Sequence, residues 1–176
     1  MPNVFSKFTD TLSVSNFTDL DNLLDGGSGD ATFTNNADGT LRSFPSKKGP
    51  NIFPSTATLV GIQFFVTVTP ASGNINFTFT PQKGVTAGTA QNGTYTGAQT
   101  KNFGGTSELF GLTFNSINDI AAFRIRLEFS SVTGTATLNN SSNVLRPVFH
   151  YTLPFSNKVY QTGGNFKMLS GKVSIT

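Results

Sequence analysis

The sequence predicts an all-β fold, a single antiparallel β-sandwich, and three observations carry that prediction. Residues Thr58 to Thr69 alternate strictly: Ile62, Phe64, Val66 and Val68 share one face, and Gln63, Phe65, Thr67 and Thr69 the other. That is the period of a strand with one face in a core. Two later stretches repeat it, Ile75, Phe77 and Phe79 against Asn76, Thr78 and Thr80, then Phe123, Ile125, Leu127 and Phe129 against Arg124, Arg126, Glu128 and Ser130. Finally, only 12% of the residues are charged while Gly, Ser, Thr and Asn abound, a balance that suits strand faces and tight turns and not long surface helices.

In chain order, residues 1–15 read as an N-terminal arm anchored by Phe5, Phe8, Leu12 and Val14. Thr18 caps a short helical turn over Asp19 to Asp25, with Leu20, Leu23 and Leu24 inward and Gly26 ending it. A strand near 31–34, a turn at Asp38-Gly39 and a strand over 40–44 follow, then a loop at 46–50 and the strong strand 58–69. After strand 75–80, residues 81–105 are rich in Gly, Thr, Gln and Asn, which leaves open a surface excursion or a pair of weak edge strands. Strands are expected at 108–114, 123–130, 135–138 and 144–153, with helical potential over Asn115 to Asp119. Pro147 removes a donor and belongs at an edge or a bulge. The tail, 154–176, has strand-like pieces at 158–161, 165–169 and 172–175 separated by Gly163-Gly164 and Ser170-Gly171, a C-terminal extension with a hairpin. The domain plan is therefore an arm (1–15), a sandwich (16–153) and an extension (154–176).

The 18 Phe stand against 3 Tyr and no Trp. Phe has no polar handle and belongs in closed cores, whereas Tyr and Trp serve where one end of the ring stays wet. Phe65 is the exception, because its neighbours put it on an outer face. A chain of 176 residues buries enough surface for a core without staples, and the absence of Cys excludes disulfides and thiolate metal sites. The net charge of +3 is unevenly spread. Residues 1–38 hold Asp10, Asp19, Asp21, Asp25, Asp30 and Asp38 with the single base Lys7, while after Glu128 come Arg146, Lys158, Lys167 and Lys172 and no acid. This polarity suits a contact between copies or with another subunit. The bases lie singly, without interleaved exposed aromatics, which argues against nucleic acid as a partner. No positively charged n-region leads into an apolar run, and no stretch approaches a spanning helix, so neither a signal peptide nor a membrane segment is expected.

Several pieces in order, NLLDGGSGDATF (22–33), TLRSF (40–44), FPSTATLVGI (53–62), ELFGLTF (108–114), INDIAAFRIRL (117–127) and Ala136 to Tyr151, resemble a jelly-roll-like β-sandwich module of tailed-bacteriophage virion proteins. The resemblance covers about residues 16–153, with Phe17 and Phe110 where the family pattern often has Trp. It implies a jelly-roll-like sandwich and a structural or adhesion role in a virus particle, and it carries over no catalytic residue. The expected function is a non-enzymatic virion component, a capsid decoration or a tail or baseplate attachment subunit, made in the host cytoplasm and assembling through its terminal arms. Its expected partners are other virion proteins and further copies of itself. A tail-fibre module binding host receptor or surface glycan is the alternative, with residues 84–105 as its variable loop. The residues expected at the interface are Phe5, Phe8, Phe65, Arg124, Arg126, Lys158 and Lys167.

Catalytic chemistry finds little support in the residues. His150 is the sole histidine, which excludes a multi-histidine metal site, and a lone His in a strand is a structural residue first. Gly26-Gly-Ser-Gly-Asp30 has Asp where a nucleophile elbow needs Gly, and is one residue short of a Ca²⁺-binding glycine-rich repeat. Asp19, Asp21 and Asp25 miss EF-hand spacing because Leu23 takes the third ligand position. Helix capping is the better account of these acids. Glu108, Asp119 and Glu128 are the only acids after residue 38, too few and too scattered for the paired carboxylates of glycoside hydrolysis. No metal and no cofactor are expected.

Overall fold

The alternating stretches become strands whose apolar faces meet. The computed structural model describes residues 3–5, 7–24, 28–44, 56–140, 146–154, 166–169 and 172–175. The strands are β1 (Asn3–Phe5), β2 (Lys7–Thr18), β3 (Ala31–Phe44), β4 (Thr58–Thr69), β5 (Ile75–Lys83), β6 (Thr86–Ala87), β7 (Gln91–Tyr95), β8 (Gln99–Gly104), β9 (Phe123–Ser130), β10 (Ala136–Leu138), β11 (Val148–Thr152), β12 (Phe166–Leu169) and β13 (Lys172–Ile175). Two 3₁₀ turns, Leu20–Leu23 and Ile117–Ala122, complete the described elements.

The ladders, all antiparallel, arrange these strands in two layers. In one, β2, β3, β9 and β5 lie side by side, with β6 and β7 along the far edge of β5. In the other the order is β1, β11, β4, β8. Short β10 pairs with the start of β3 (Ala136 with Phe33) and the end of β4 (Leu138 with Val68), closing one corner between the layers. The chain changes layer from β1 to β2, from β3 to β4, from β4 to β5, from β7 to β8 and from β8 to β9, the winding of a jelly-roll-like antiparallel sandwich.

Alternation explains what fills the space between the layers. Along β9, Phe123, Ile125, Leu127 and Phe129 are buried, and the residues between them are half-buried or exposed. From β5 and β8, Phe79 and Phe103 meet edge to face at 5.1 Å, and Phe64 of β4 stacks on Phe103 at 5.2 Å. The Tyr95 hydroxyl, on β7, donates to the Val66 carbonyl of β4 at 3.0 Å, so a buried polar group finds its partner across the core. Phe123 and Phe149 join the layers again near the other end, at 5.6 Å.

The structure revises four expectations. The described part of the expected arm, residues 3–5 and 7–15, belongs to the sandwich: β1 is the edge strand of the four-stranded layer, and β2 pairs with β3 from Lys7–Phe44 to Thr18–Thr32. Asp38-Gly39 is not a turn but the middle of a continuous β3. Gly39 is there because the backbone runs under Leu20 and Phe17, where a Cβ would come within 2.9 and 3.2 Å of their side chains. The span 108–114 is not a strand, since Phe110 and Gly111 take φ of 55° and 71° and turn the chain. Its Phe110 is buried against Phe64, and its backbone is tied by Ile62 N–H to Glu108 O (2.8 Å) and Thr89 N–H to Phe110 O (2.6 Å). The expected helical turn is the 3₁₀ turn Leu20–Leu23, preceded by Asp19 at φ 59° and without a side-chain cap, although Leu20 and Leu23 are buried as the pattern required.

Two open points close. Residues 84–105 carry β6, β7 and β8 and so form edges of both layers, not a free variable loop. The tail forms the hairpin β12–β13 with Phe166 opposite Ile175 and Leu169 opposite Lys172, a sheet of its own. The expected piece 158–161 lies outside the described residues.

Candidate functional site

The outer face of the β2–β3–β9–β5 layer brings Asp38, Arg42, Arg124, Arg126 and Glu128 onto one surface. The residues opposite the core side of β3, β9, β5 and β7 fall into lateral rows fixed by register. Asp38, Glu128, Thr78 and Asn92 make one row, Thr40, Arg126 and Thr80 the next, and Arg42, Arg124 and Gln82 a third. Directly opposed side chains in such rows stand about 5 Å apart at Cβ, so each row is a contiguous strip.

Arg126 reaches into the first row and holds both acids. Its Nη2 lies 2.5 Å from an Asp38 oxygen and 3.0 Å from Glu128 Oε1, and its Nε donates to both Asp38 oxygens at 3.1 Å. The Asp38 carboxylate beside it pushes the Arg126 pKa above its ordinary value. Next to this cluster lies a shallow depression of about 300 Å³ lined by Asn36, Asp38, Thr78, Glu128 and Ser130. From Thr78 on its lining starts a hydrogen-bonded ladder of short polar groups: Thr78 Oγ1 donates to Asn92 Oδ1 (2.8 Å), Thr94 Oγ1 to Asn76 Oδ1 (2.9 Å) and Asn76 Nδ2 to Ser131 Oγ (3.2 Å). Ser131 N–H donates to Asn36 Oδ1 at 3.1 Å.

The third row is arranged differently. Arg42 and Arg124 are directly opposed like charges, and on its other side Arg42 stands opposite Asp10 of β2. Arg124 has no ion pair among the described residues, and its shielded Nε has no hydrogen-bond partner. At the end of β5, Lys83 instead donates to Asp119 Oδ2 (2.7 Å) and Thr113 O (2.9 Å), which holds the Asp119 carboxyl below its ordinary range.

Of the residues expected at an interface, only Arg124 and Arg126 share this surface. Phe65 sits half-buried on the outer face of the other layer, opposite Asn102. Phe5 pairs with Val148 in β1–β11, Phe8 with Ser43 in β2–β3, and Lys167 with Ser174 in the hairpin, while Lys158 lies outside the described residues. Asp38 escaped the sequence reading because a turn assignment hid its strand position, Asn76 and Thr78 were legible only as polar alternates, and Asn92 lay in the stretch 81–105 that the sequence left open. Phe17 and Phe110, the positions where the family pattern often has Trp, pack inward: Phe17 lies 5.4 Å from Phe33, and Phe110 is buried.

The acids near the N-terminal end serve the chain itself. Asp21 accepts from Thr11 Oγ1 (2.7 Å), and Asp30 accepts from Asn140 N–H (2.7 Å) and Asn139 Nδ2 (3.2 Å), pinning the connection before β3 to the one after β10. Asp25 is outside the described residues. Among the described residues no group of three His, Asp or Glu side chains is placed to hold a metal ion. His150 is buried on β11, and burial pushes its imidazole below the ordinary value. No helix among the described residues is long and apolar enough to cross a membrane.

No protein-family model matches the chain, and no curated protein matches it. Among solved structures it is similar to the C-terminal CBM6 of LamC, a marine laminarinase from Zobellia galactanivorans, with a TM-score of 0.41 and 8% identity over 85% of this chain and 99% of that one.

Proposed function

We propose that this chain is a non-enzymatic assembly module of a bacteriophage particle and that the outer face of its β2–β3–β9–β5 layer is the surface that contacts the particle's other proteins. The observation that carries the reading is the Asp38–Arg126–Glu128 cluster beside a shallow, polar-lined depression. A flat face with fixed charges and short hydrogen-bonding groups recognises another surface by complementarity, whereas small-molecule chemistry uses an enclosing cleft. The phage assignment rests on the order of sequence pieces from Asn22 to Tyr151. The N-terminal residues contribute from within the sandwich as edge strands, and β12–β13 is a hairpin sheet of its own.

Co-sedimentation of the purified chain with particles lacking it tests the proposal. Thr78→Arg and Asn92→Arg, which place bulk and charge on the face without touching the core, should abolish association, and Thr100→Arg on the opposite layer should not. Association unaffected by the first two variants would remove the face from consideration. A glycan-binding role is the second reading, favoured by the amide and hydroxyl ladder Asn92–Thr78 and Thr94–Asn76. With no Trp to stack on a sugar ring, its affinity would be millimolar in order. Glycan arrays followed by calorimetry decide between the two, since sub-micromolar binding to a defined oligosaccharide would put the second reading first.

A further inference from the structure

One long strand of the sandwich is open along a side. Among the described residues β2 pairs with β3 alone, so its other side is an edge of the layer, and Leu12, Ser13, Val14, Ser15 and Asn16 are exposed in succession. Neither face of the strand is covered there. Leu12 and Val14, 39% and 50% exposed, are two of the four large hydrophobic residues exposed among the described residues. Natural sheet edges are blunted by charge, proline, glycine or shortness. Thus β1 is three residues long, β7 holds Gly93 and β8 holds Lys101. From Thr11 to Thr18, β2 has no charge, no proline and no glycine, which makes it the edge best suited to accept another strand.

The sequence of that edge specifies which strand it accepts. Thr11-Leu12-Ser13-Val14-Ser15 runs hydroxyl, apolar, hydroxyl, apolar, hydroxyl, a pattern that reads alike in both directions. Laid antiparallel on a copy of itself with Ser13 opposite Ser13, it sets Leu12 opposite Val14 twice and Thr11 opposite Ser15 twice. Apolar meets apolar and hydroxyl meets hydroxyl at every position, with opposed side chains about 5 Å apart at Cβ. Other registers lose the match. A slip of one residue sets Leu12 against Ser13 and Thr11 against Val14; a slip of two sets Val14 against Asp10 or Leu12 against Asn16.

We propose that two copies of this chain join through β2, antiparallel about a two-fold axis at Ser13, so that their β2–β3–β9–β5 layers form one continuous sheet. The contact is isologous, the same segment on both copies. Main-chain bonds supply its affinity, and the Leu12–Val14 pairs fix its register. The pairing is short. Asn16, at φ 60°, turns the backbone beyond Ser15, and the register shift between Phe8 and Asp10 bends it before Thr11. Within those limits the shift between Thr11 and Ser13 leaves Leu12 without a partner in β3, and the second copy supplies one. The proposal is independent of the charged face.

The chain has no cysteine, so a single introduced one reports the axis. Ser13→Cys places two thiols directly across from each other with Cα atoms about 4.5–5.5 Å apart, inside disulfide range. Mild oxidation of the dilute full chain should convert most of it to a covalent dimer on a non-reducing gel. Thr11→Cys should stay monomeric, because its copy lies four residues away, about 13 Å along the strand, and so should Thr100→Cys on the other layer. Sedimentation velocity tests the register without a cross-link. The wild type should dimerise, and should still do so in about 1 M NaCl, since the paired segment carries no charge. Leu12→Glu combined with Val14→Glu opposes two pairs of like charges and should raise the dissociation constant at least about tenfold, whereas Leu12→Lys combined with Val14→Glu opposes unlike charges and should restore the dimer. Should a double variant fail to fold by circular dichroism, the cysteine comparison still decides. A wild type that stays monomeric, cysteine variants that all cross-link alike, a doubly acidic variant that dimerises like the wild type, or a Lys–Glu variant no better than the doubly acidic one would each overturn the proposal.

Discussion

Replacing Phe79 by alanine should cost the sandwich a large part of its stability, because this ring is where the layers interlock. Phe79 is fully buried and contacts three other rings: Phe77 at 4.5 Å along its own strand, Phe129 at 5.4 Å on β9 and Phe103 at 5.1 Å across the core. Truncation removes the transfer energy of the ring and leaves a cavity that four strands cannot collapse around, which for buried Phe costs about 3–5 kcal/mol. Against a total stability of roughly 5–15 kcal/mol this is severe, and at 2–4 °C per kcal/mol it lowers the melting temperature by about 6–20 °C. Phe65→Ala provides the contrast. Its ring is half-buried on an outer face, and the change should cost under about 1.5 kcal/mol. Urea unfolding followed by far-ultraviolet circular dichroism measures both, with an unchanged slope showing that the unfolded reference is the same. If Phe79→Ala cost no more than Phe65→Ala, the assignment of inner and outer faces on β4 and β5 would be wrong.

Tyr95→Phe should cost about 1 kcal/mol, the net worth of the hydroxyl bond to the Val66 carbonyl, and no more, since the ring stays in place; a loss above about 3 kcal/mol would mean that the hydroxyl holds more than one partner. Stability should also fall as pH drops through and below His150's ordinary value of 6.5, because burial favours the neutral ring in the fold and the unfolded chain then binds the proton more readily. Melting temperatures between about pH 8 and 5 should show this slope in the native chain and lose it in His150→Gln, and an identical slope in both would assign it to other groups.

How far the sequence foretold this arrangement depended on whether one residue pattern had one structural meaning. In β4, β5 and β9, apolar and polar residues alternate because one face is buried and the other is not, and register followed without ambiguity. Asp38-Gly39 has two meanings, a tight turn or a strand glycine beneath a large neighbour, and only the packing of Phe17 and Leu20 decides. Leu109 to Phe114 misled in the opposite sense: its apolar residues do face the core, but they reach it from a loop with left-handed backbone at Phe110 and Gly111. The candidate site was half legible for the same reason. Arg124, Arg126 and Glu128 follow from the alternation of β9 alone, while Asp38 became visible only when β3 proved continuous.

The outer faces of the two layers differ in kind, and that difference gives the surface argument its direction. On β4 and β8 the outward side chains are Gln63, Phe65, Thr67, Thr100 and Asn102, joined by Gln63 Nε2 to Asn102 Oδ1 at 3.0 Å and by the Thr67 and Thr100 hydroxyls at 2.7 Å, with no charge among them. On β3 and β9 five of the six outward residues in the three charged rows carry charge. Association through the charged face must weaken with salt, because its attraction is Coulombic and lies at the surface. Association through the uncharged face must persist, or strengthen in sulfate, because only apolar contact and neutral hydrogen bonds hold it. The salt response of any complex this chain forms through an outer face therefore identifies the layer that makes it before a single residue is changed, and such a complex that tightens with salt would redirect attention to Phe65 and its neighbours.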